Sequence, residues 1–130
     1  MNIDAFLAAP LLVQSHAVAA SAALLLGAVQ FIAPKGTIPH RTLGYVWCVL
    51  MGFTAISAVF IRDINDGGFS WVHLLVPITL FGTVELAVRA RRGLTAKHRA
   101  SALVLIVAAL LLPGLITFLP GRLMHAVMFG

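Results

Sequence analysis

Four apolar runs, at about residues 7–33, 43–61, 69–88 and 100–119, take up most of a chain of 130 residues. A helix needs about 20 apolar residues to cross the hydrocarbon of a bilayer, so each run has the length of a transmembrane helix. Composition points the same way. Hydrophobic residues make up 61% of the chain and charged residues 10%, where a soluble domain carries about 25% charged residues. A chain this short buries too little of its surface to hide so much apolar side chain from water. The runs are continuous, without the alternation of period two that a transmembrane β-barrel requires. The expected fold is all-α, a single transmembrane domain over 1–130 built as a four-helix bundle.

The breaks between the runs carry turn and charge signals. They are Pro34-Lys35-Gly36-Thr37-Ile38-Pro39, then Arg62-Asp63-Ile64-Asn65-Asp66-Gly67-Gly68, then the stretch from Arg89 to Arg99. Lys35, Arg41, Arg89, Arg91, Arg92, Lys97 and Arg99 lie in the first and third breaks, and only Arg62 and Arg122 on the opposite side. Seven against two is a strong positive-inside bias. It places the basic loops in the cytoplasm and both termini outside, periplasmic for a protein of a bacterial inner membrane. The start, Met1-Asn2-Ile3-Asp4, has no positive n-region, and the first run is too long for a signal-peptide core, so this segment is expected to remain. The formal charge of +5 reads as topology and contact with anionic lipid rather than nucleic-acid binding. Cys48 is the single cysteine, which excludes an internal disulfide and a cysteine metal cluster.

The chain also reads as a tandem repeat of one helical hairpin. His16 begins the first unit and His40-Arg41 follows 24 residues later; His73 begins the second and His98-Arg99 follows 25 residues later. The intervening loops, Lys35-Gly36-Thr37-Ile38-Pro39 and Arg92-Gly93-Leu94-Thr95-Ala96-Lys97, match in character, with Pro39 suited to a first helical position and Thr95 to an N-cap. In a bundle with short loops, the first and third helices share one diagonal and the second and fourth the other. His16 and His73 are then neighbours near the outer face, and His40 and His98 near the inner face. At ~1.5 Å per residue the helix from His16 to Pro34 spans about 27 Å, so the two pairs sit near opposite sides of the bilayer.

Neutral imidazole is a common ligand of haem iron and of divalent metals. The helical face below His16 carries Ala20, Ala23, Gly27 and Gln30; below His40 it carries Gly44, Trp47 and Met51. Below His98 come Ala102, Leu105 and Ala109, and below His73 come Pro77, Leu80 and Val84. Small residues there leave room for a flat ring between helices, although they serve close helix packing equally well. His40-Arg41 and His98-Arg99, each taken alone, read as interfacial anchors. His16 and His73 lie about a turn inside the hydrocarbon, where a polar group without a partner is costly. The outer pair is therefore the stronger candidate and the inner pair the weaker.

The other polar residues favour plainer readings. Glu85 and Arg89 have the spacing of an i,i+4 ion pair, preferred to a proton-relay role for Glu85. Asp63 and Asp66 read as solvated turn residues, and His125 as interfacial. Gln14 or Ser15 is placed to orient the His16 ring. Trp47, Trp71 and Tyr45 fit an aromatic belt, with Trp47 also able to face a bound ring. There is no Gly-x-Ser-x-Gly elbow, phosphate loop or dinucleotide fingerprint.

Pro34-Lys35-Gly36, His40-Arg41-Thr42-Leu43-Gly44, Gly67-Gly68, His73-Leu74-Leu75, Arg91-Arg92-Gly93 and His98-Arg99, together with His16, resemble a large bacterial family of predicted four-helix membrane proteins of unknown function. The resemblance covers nearly the whole chain. The family often has Arg-x-Tyr after the position of Gly44, where this chain has Tyr45-Val46-Trp47. The resemblance implies fold and topology and no activity. A weaker likeness, in site layout, is to the di-haem b-type cytochromes of membranes, which also place two His pairs across a helical bundle. That layout implies a protein holding one or two haem b groups and transferring electrons within or across the membrane. His16 with His73, and His40 with His98, would ligate iron, and Arg41 and Arg99 would meet haem propionates. Quinone or a redox protein is the implied partner, with the bilayer as surroundings and an oligomer as a candidate assembly. The alternatives are a cofactor-free accessory or structural subunit, and a small metal-ion-binding or transport protein.

Overall fold

The computed structural model describes residues 3–34, 36–60, 71–120 and 122–129, except for the side chains of 71, 72 and 123. Lys35, the outer-loop residues Arg62, Asp63, Asp66, Gly67 and Gly68, and the Trp71 side chain thus lie outside the described part. The order of elements is α1 (Ile3–Leu7), α2 (Leu11–Ile32), α3 (Ile38–Val59), a 3-10 turn (Trp71–Leu74), α4 (Leu75–Arg91), α5 (Thr95–Val104), a π-helical segment (Leu105–Leu111), α6 (Leu112–Ile116) and α7 (Leu123–Phe129). Among the described residues there is no strand. Among those residues three helices are long and apolar enough to cross a membrane: Leu11–Ile32, Ile38–Val59 and the composite Thr95–Ile116. The third apolar run becomes α4, which has 17 residues and follows the 3-10 turn. Pro77 stands in the first turn of α4, where its missing N–H costs no helical bond.

Local chemistry sets the ends. Ala33 is extended ahead of Pro34, as the residue before proline must be to avoid its ring, and α2 stops there. Thr37 caps α3 by accepting from the His40 backbone N–H at 3.2 Å. Thr95 does not act as the expected N-cap. Gly93, at φ 71°, lets the chain turn back so that Leu94 N–H reaches Arg89 O and Gly93 N–H reaches Ala90 O. These two bonds form a Schellman motif closing α4. Leu94 is drawn into that cap, so α5 already begins at Thr95.

The π-helical segment has its own cause. Pro113 cannot donate to a carbonyl one turn back, and its ring crowds the residue four before it. The Leu112 N–H bonds to Val107 O, five residues back. Leu105 and Leu110, also five apart, are both buried, as the wider π turn allows.

The packing is inverted relative to a water-soluble bundle. Large apolar side chains such as Ile32, Leu25, Val49 and Phe81 face outward, while Ala19, Ala23, Gly27, Thr54, Ser57, Thr79 and Thr83 are buried. Lipid tails are as apolar as leucine, so helices associate through close backbone approach and hydrogen bonding rather than by hiding leucine. α2 packs on α3, α3 on α4, α4 on α5, and the π-helical segment on both α2 and α4. At the centre Met51 and Ala23 are fully buried, with Trp47, Leu86, Leu105 and Leu110 around them. α1 lies against α7.

A Cβ on Gly27 would stand 3.0 Å from Ile106 Cδ1 and 3.2 Å from Trp47 Nε1. Gly27→Leu is therefore expected to cost about 1–3 kcal/mol by overpacking, read as a fall in the detergent-solubilised Tm. Gly52→Ala, where a Cβ meets nothing within 4 Å, should leave Tm unchanged.

Candidate functional site

The turns joining α2 to α3 and α4 to α5 define the basic end of the molecule. There the structure brings His40 and His98 together. His40 is in the first turn of α3 and His98 in the first turn of α5, and their ring centroids are 6.5 Å apart with 74° between the planes. A hydrogen bond ties each histidine residue to a neighbouring helix, through the backbone at His40 and through the ring at His98. Gln30 Nε2 donates to the His40 carbonyl at 2.8 Å, tying the end of α2 to the start of α3. His98 Nδ1 lies 2.9 Å from Leu86 O on α4. A carbonyl only accepts, so Nδ1 of His98 carries the proton, and the neutral ring keeps its lone pair on Nε2. A ring bonded in this way is oriented as metal-ligating histidines are.

The spacing bears on which groups the pair can hold. A metal–nitrogen bond of ~2 Å on each side, plus ~1 Å from nitrogen to ring centre, puts two axial imidazoles about 6 Å apart. The two rings share only the axis through the metal, so an angle of 74° between their planes is compatible with such a pair. Arg41 and Arg99, beside the two histidines, are exposed.

Near the opposite end, His16 is tied to α3. Its Nδ1 lies 2.7 Å from Ser57 Oγ, and that hydroxyl donates to Thr54 O at 3.0 Å. The single hydroxyl proton is thereby spent, so Ser57 accepts from Nδ1–H and His16 also keeps its lone pair on Nε2. Gln14 and Ser15 do not orient this ring, contrary to expectation. Gln14 Nε2 donates to Ala9 O and Leu7 O, and Ser15 Oγ to Leu12 O. Gln14 is drawn to carbonyls left open where the chain breaks between α1 and α2, and Ser15 to a carbonyl in the first turn of its own helix. His73 is half-buried on the 3-10 turn ahead of α4.

The space expected beneath His16 and His40 is filled. Trp47 is 4% exposed and its Nε1 donates to Ala23 O at 2.9 Å. It belongs to the core and not to an aromatic belt. Its indole and Ile106 occupy the place left by Gly27, so the stripe of small residues on α2 serves helix packing and leaves no slot for a flat ring at mid-depth. The spacing at the basic end still suits an iron held between two imidazoles. Trp47 lies seven residues deeper than His40, about 10 Å along the helix.

Arg89 and Arg91 organise the same end. The ion pair expected between Glu85 and Arg89 forms. Arg89 also donates to Ser101 Oγ at 2.6 Å and to Lys97 O at 3.2 Å, fixing α5 against α4. Arg91 Nε donates to the Tyr45 hydroxyl at 3.0 Å, with its guanidinium 5.6 Å from the ring centre. Apart from the Glu85–Arg89 spacing, these contacts join residues far apart in the chain and leave no local signal. His125 donates its backbone N–H to Thr117 O, and its ring lies 5.2 Å from that of Phe129. Among the described residues no three His, Cys, Asp or Glu side chains gather as a metal-ion site would require.

A family model described as Predicted membrane protein (DUF2306) matches residues 13–127, and the chain belongs to that family. This agrees with the resemblance carried by Pro34-Lys35-Gly36 and His40-Arg41. No curated protein and no solved structure matches the chain, and the likeness to di-haem cytochromes gains no support.

In haem-free protein, ¹⁵N spectra of labelled histidine should show His16 and His98 as Nδ1–H tautomers. Ser57→Ala should release His16 alone and lower stability by about 1–3 kcal/mol through the donor left without an acceptor. An Nε2–H tautomer at His98 would contradict the bond to Leu86 O.

Proposed function

We propose that this member of the DUF2306 family is a haem b-binding membrane protein that carries electrons within or across a bacterial inner membrane. In this reading the chain is a four-helix bundle of two like hairpins, with its basic loops in the cytoplasm and both termini outside. His40 and His98 are the residues that would hold a haem at the inner face. Quinone or a redox protein exchanges electrons with it. The observation that carries the reading is the approach of the two rings to 6.5 Å, with the proton of His98 committed to Leu86 O. A haem bound there supplies a one-electron carrier. Leu86 O orients the His98 ring, Gln30 ties the His40 backbone to α2, and Arg41 and Arg99 are the residues that would meet the propionates. His16, whose Nε2 is also left for a ligand, and His73 form the candidate outer site for a second haem. The bias of seven basic residues against two supports the orientation.

A second reading, a cofactor-free accessory subunit, is favoured by the closed centre of Trp47, Met51 and Ala23. In that case the His40–His98 contact only joins the second and fourth helices. A small-ion binder is the poorest match, because a dedicated ion site needs more ligands than two imidazoles.

A reduced-minus-oxidised visible spectrum of protein expressed with ample haem separates these. A b-type α-band that disappears in either His40→Ala or His98→Ala, or falls by about half where the outer pair also holds haem, with His16→Ala retaining the inner-site band, is the expected result. A flat spectrum from folded protein would sink the haem reading in favour of the accessory one. For orientation, an alkaline phosphatase reporter fused after Phe129 should be active, and one inserted at Gly93 inactive.

A further inference from the structure

The outward side of α4 and α5 carries an open apolar groove of about 510 Å³, within the ~300–1,000 Å³ usual for small-molecule sites. Pro77 borders one end and Val104 one flank; Glu85, Arg89 and Ser101 form the other end. Gly82 contributes no side chain to fill it, and a Cβ there would meet Leu105 Cδ2 at 3.0 Å. From Pro77 to Arg89 is twelve residues, about 18 Å of helix, slightly more than half of the ~30 Å hydrocarbon thickness. The groove therefore runs the depth of one leaflet, the reach of one acyl chain.

Its polar mouth is cationic. Arg89 is anchored there by Glu85 and Ser101. Arg91, Arg92 and Lys97 are exposed on and around the α4–α5 turn, against the single carboxylate of Glu85. Clusters of this kind beside a membrane helix attract anionic headgroups.

We propose that this groove is a binding site for one anionic phospholipid of the leaflet at the basic end. One acyl chain lies between α4 and α5, and the phosphate rests against the cationic α4–α5 turn. The site is separate from the histidine pair and stands whether or not haem binds.

Native mass spectrometry tests it. Detergent-purified protein is offered equal phosphatidylglycerol and phosphatidylcholine with identical chains. One phosphatidylglycerol should be retained at least tenfold over phosphatidylcholine. Val104→Trp, which fills the groove from its lipid-facing flank, should reduce that retention about tenfold with Tm unchanged. The double variant Arg92→Gln, Lys97→Gln should remove the preference for phosphatidylglycerol while the fold persists. Equal retention of the two lipids, or retention indifferent to both variants in folded protein, would mean only annular lipid and would overturn the proposal.

Discussion

Inside hydrocarbon every polar group must find its partner within the protein, and the rest of this structure follows from that requirement. Helices satisfy the backbone. The interior side chains then reach for carbonyls as second acceptors. Trp47 donates to Ala23 O, Thr54 to Leu50 O, Thr83 to Thr79 O and Ser57 to Thr54 O. His98 does the same with Leu86 O, and Gln30 with the carbonyl of His40. Three of these six bonds join different helices, so satisfying polar groups and assembling the helices are the same event.

Close approach is the second consequence. Ala23 and Gly27 on α2 admit the Trp47 indole of α3 and Ile106 of the π-helical segment at one level. That contact closes the centre of the molecule and leaves histidine pairing to the helix ends. At the basic end the turns are short, and Gly93 and the Schellman motif start α5 early enough to bring His98 against His40. The π-helical segment lets the same helix keep Leu105 and Leu110 in the core while Pro113 breaks its hydrogen-bond ladder.

Much of this was legible in the residues. The apolar runs identified a membrane protein, and Pro34-Lys35-Gly36 with His40-Arg41 pointed to the family that the comparison then matched. Glu85 and Arg89 announced their ion pair by spacing. What remained hidden depends on contacts between distant parts of the chain. Trp47, near a helix end, had the look of a belt residue until Ala23 O and Gly27 are seen to receive it. Gln14 and Ser15 are sequence neighbours of His16, yet the partner is Ser57, 41 residues away. Thr95 has cap chemistry, but the turn around Gly93 uses the Leu94 N–H to close the preceding helix, so Thr95 is already inside α5. The inner histidines, weaker candidates by position in the sequence, come to 6.5 Å between ring centres.

The most direct test of paired ligation at His40 and His98 is the near-infrared magnetic circular dichroism of the oxidised, haem-loaded protein. Two histidine ligands predict the charge-transfer band of a low-spin ferric haem with two nitrogen ligands, lost, or halved where the outer pair also holds haem, when either His40→Ala or His98→Ala is introduced alone. A high-spin haem, or a bis-nitrogen signal whose intensity neither substitution changes, would contradict it.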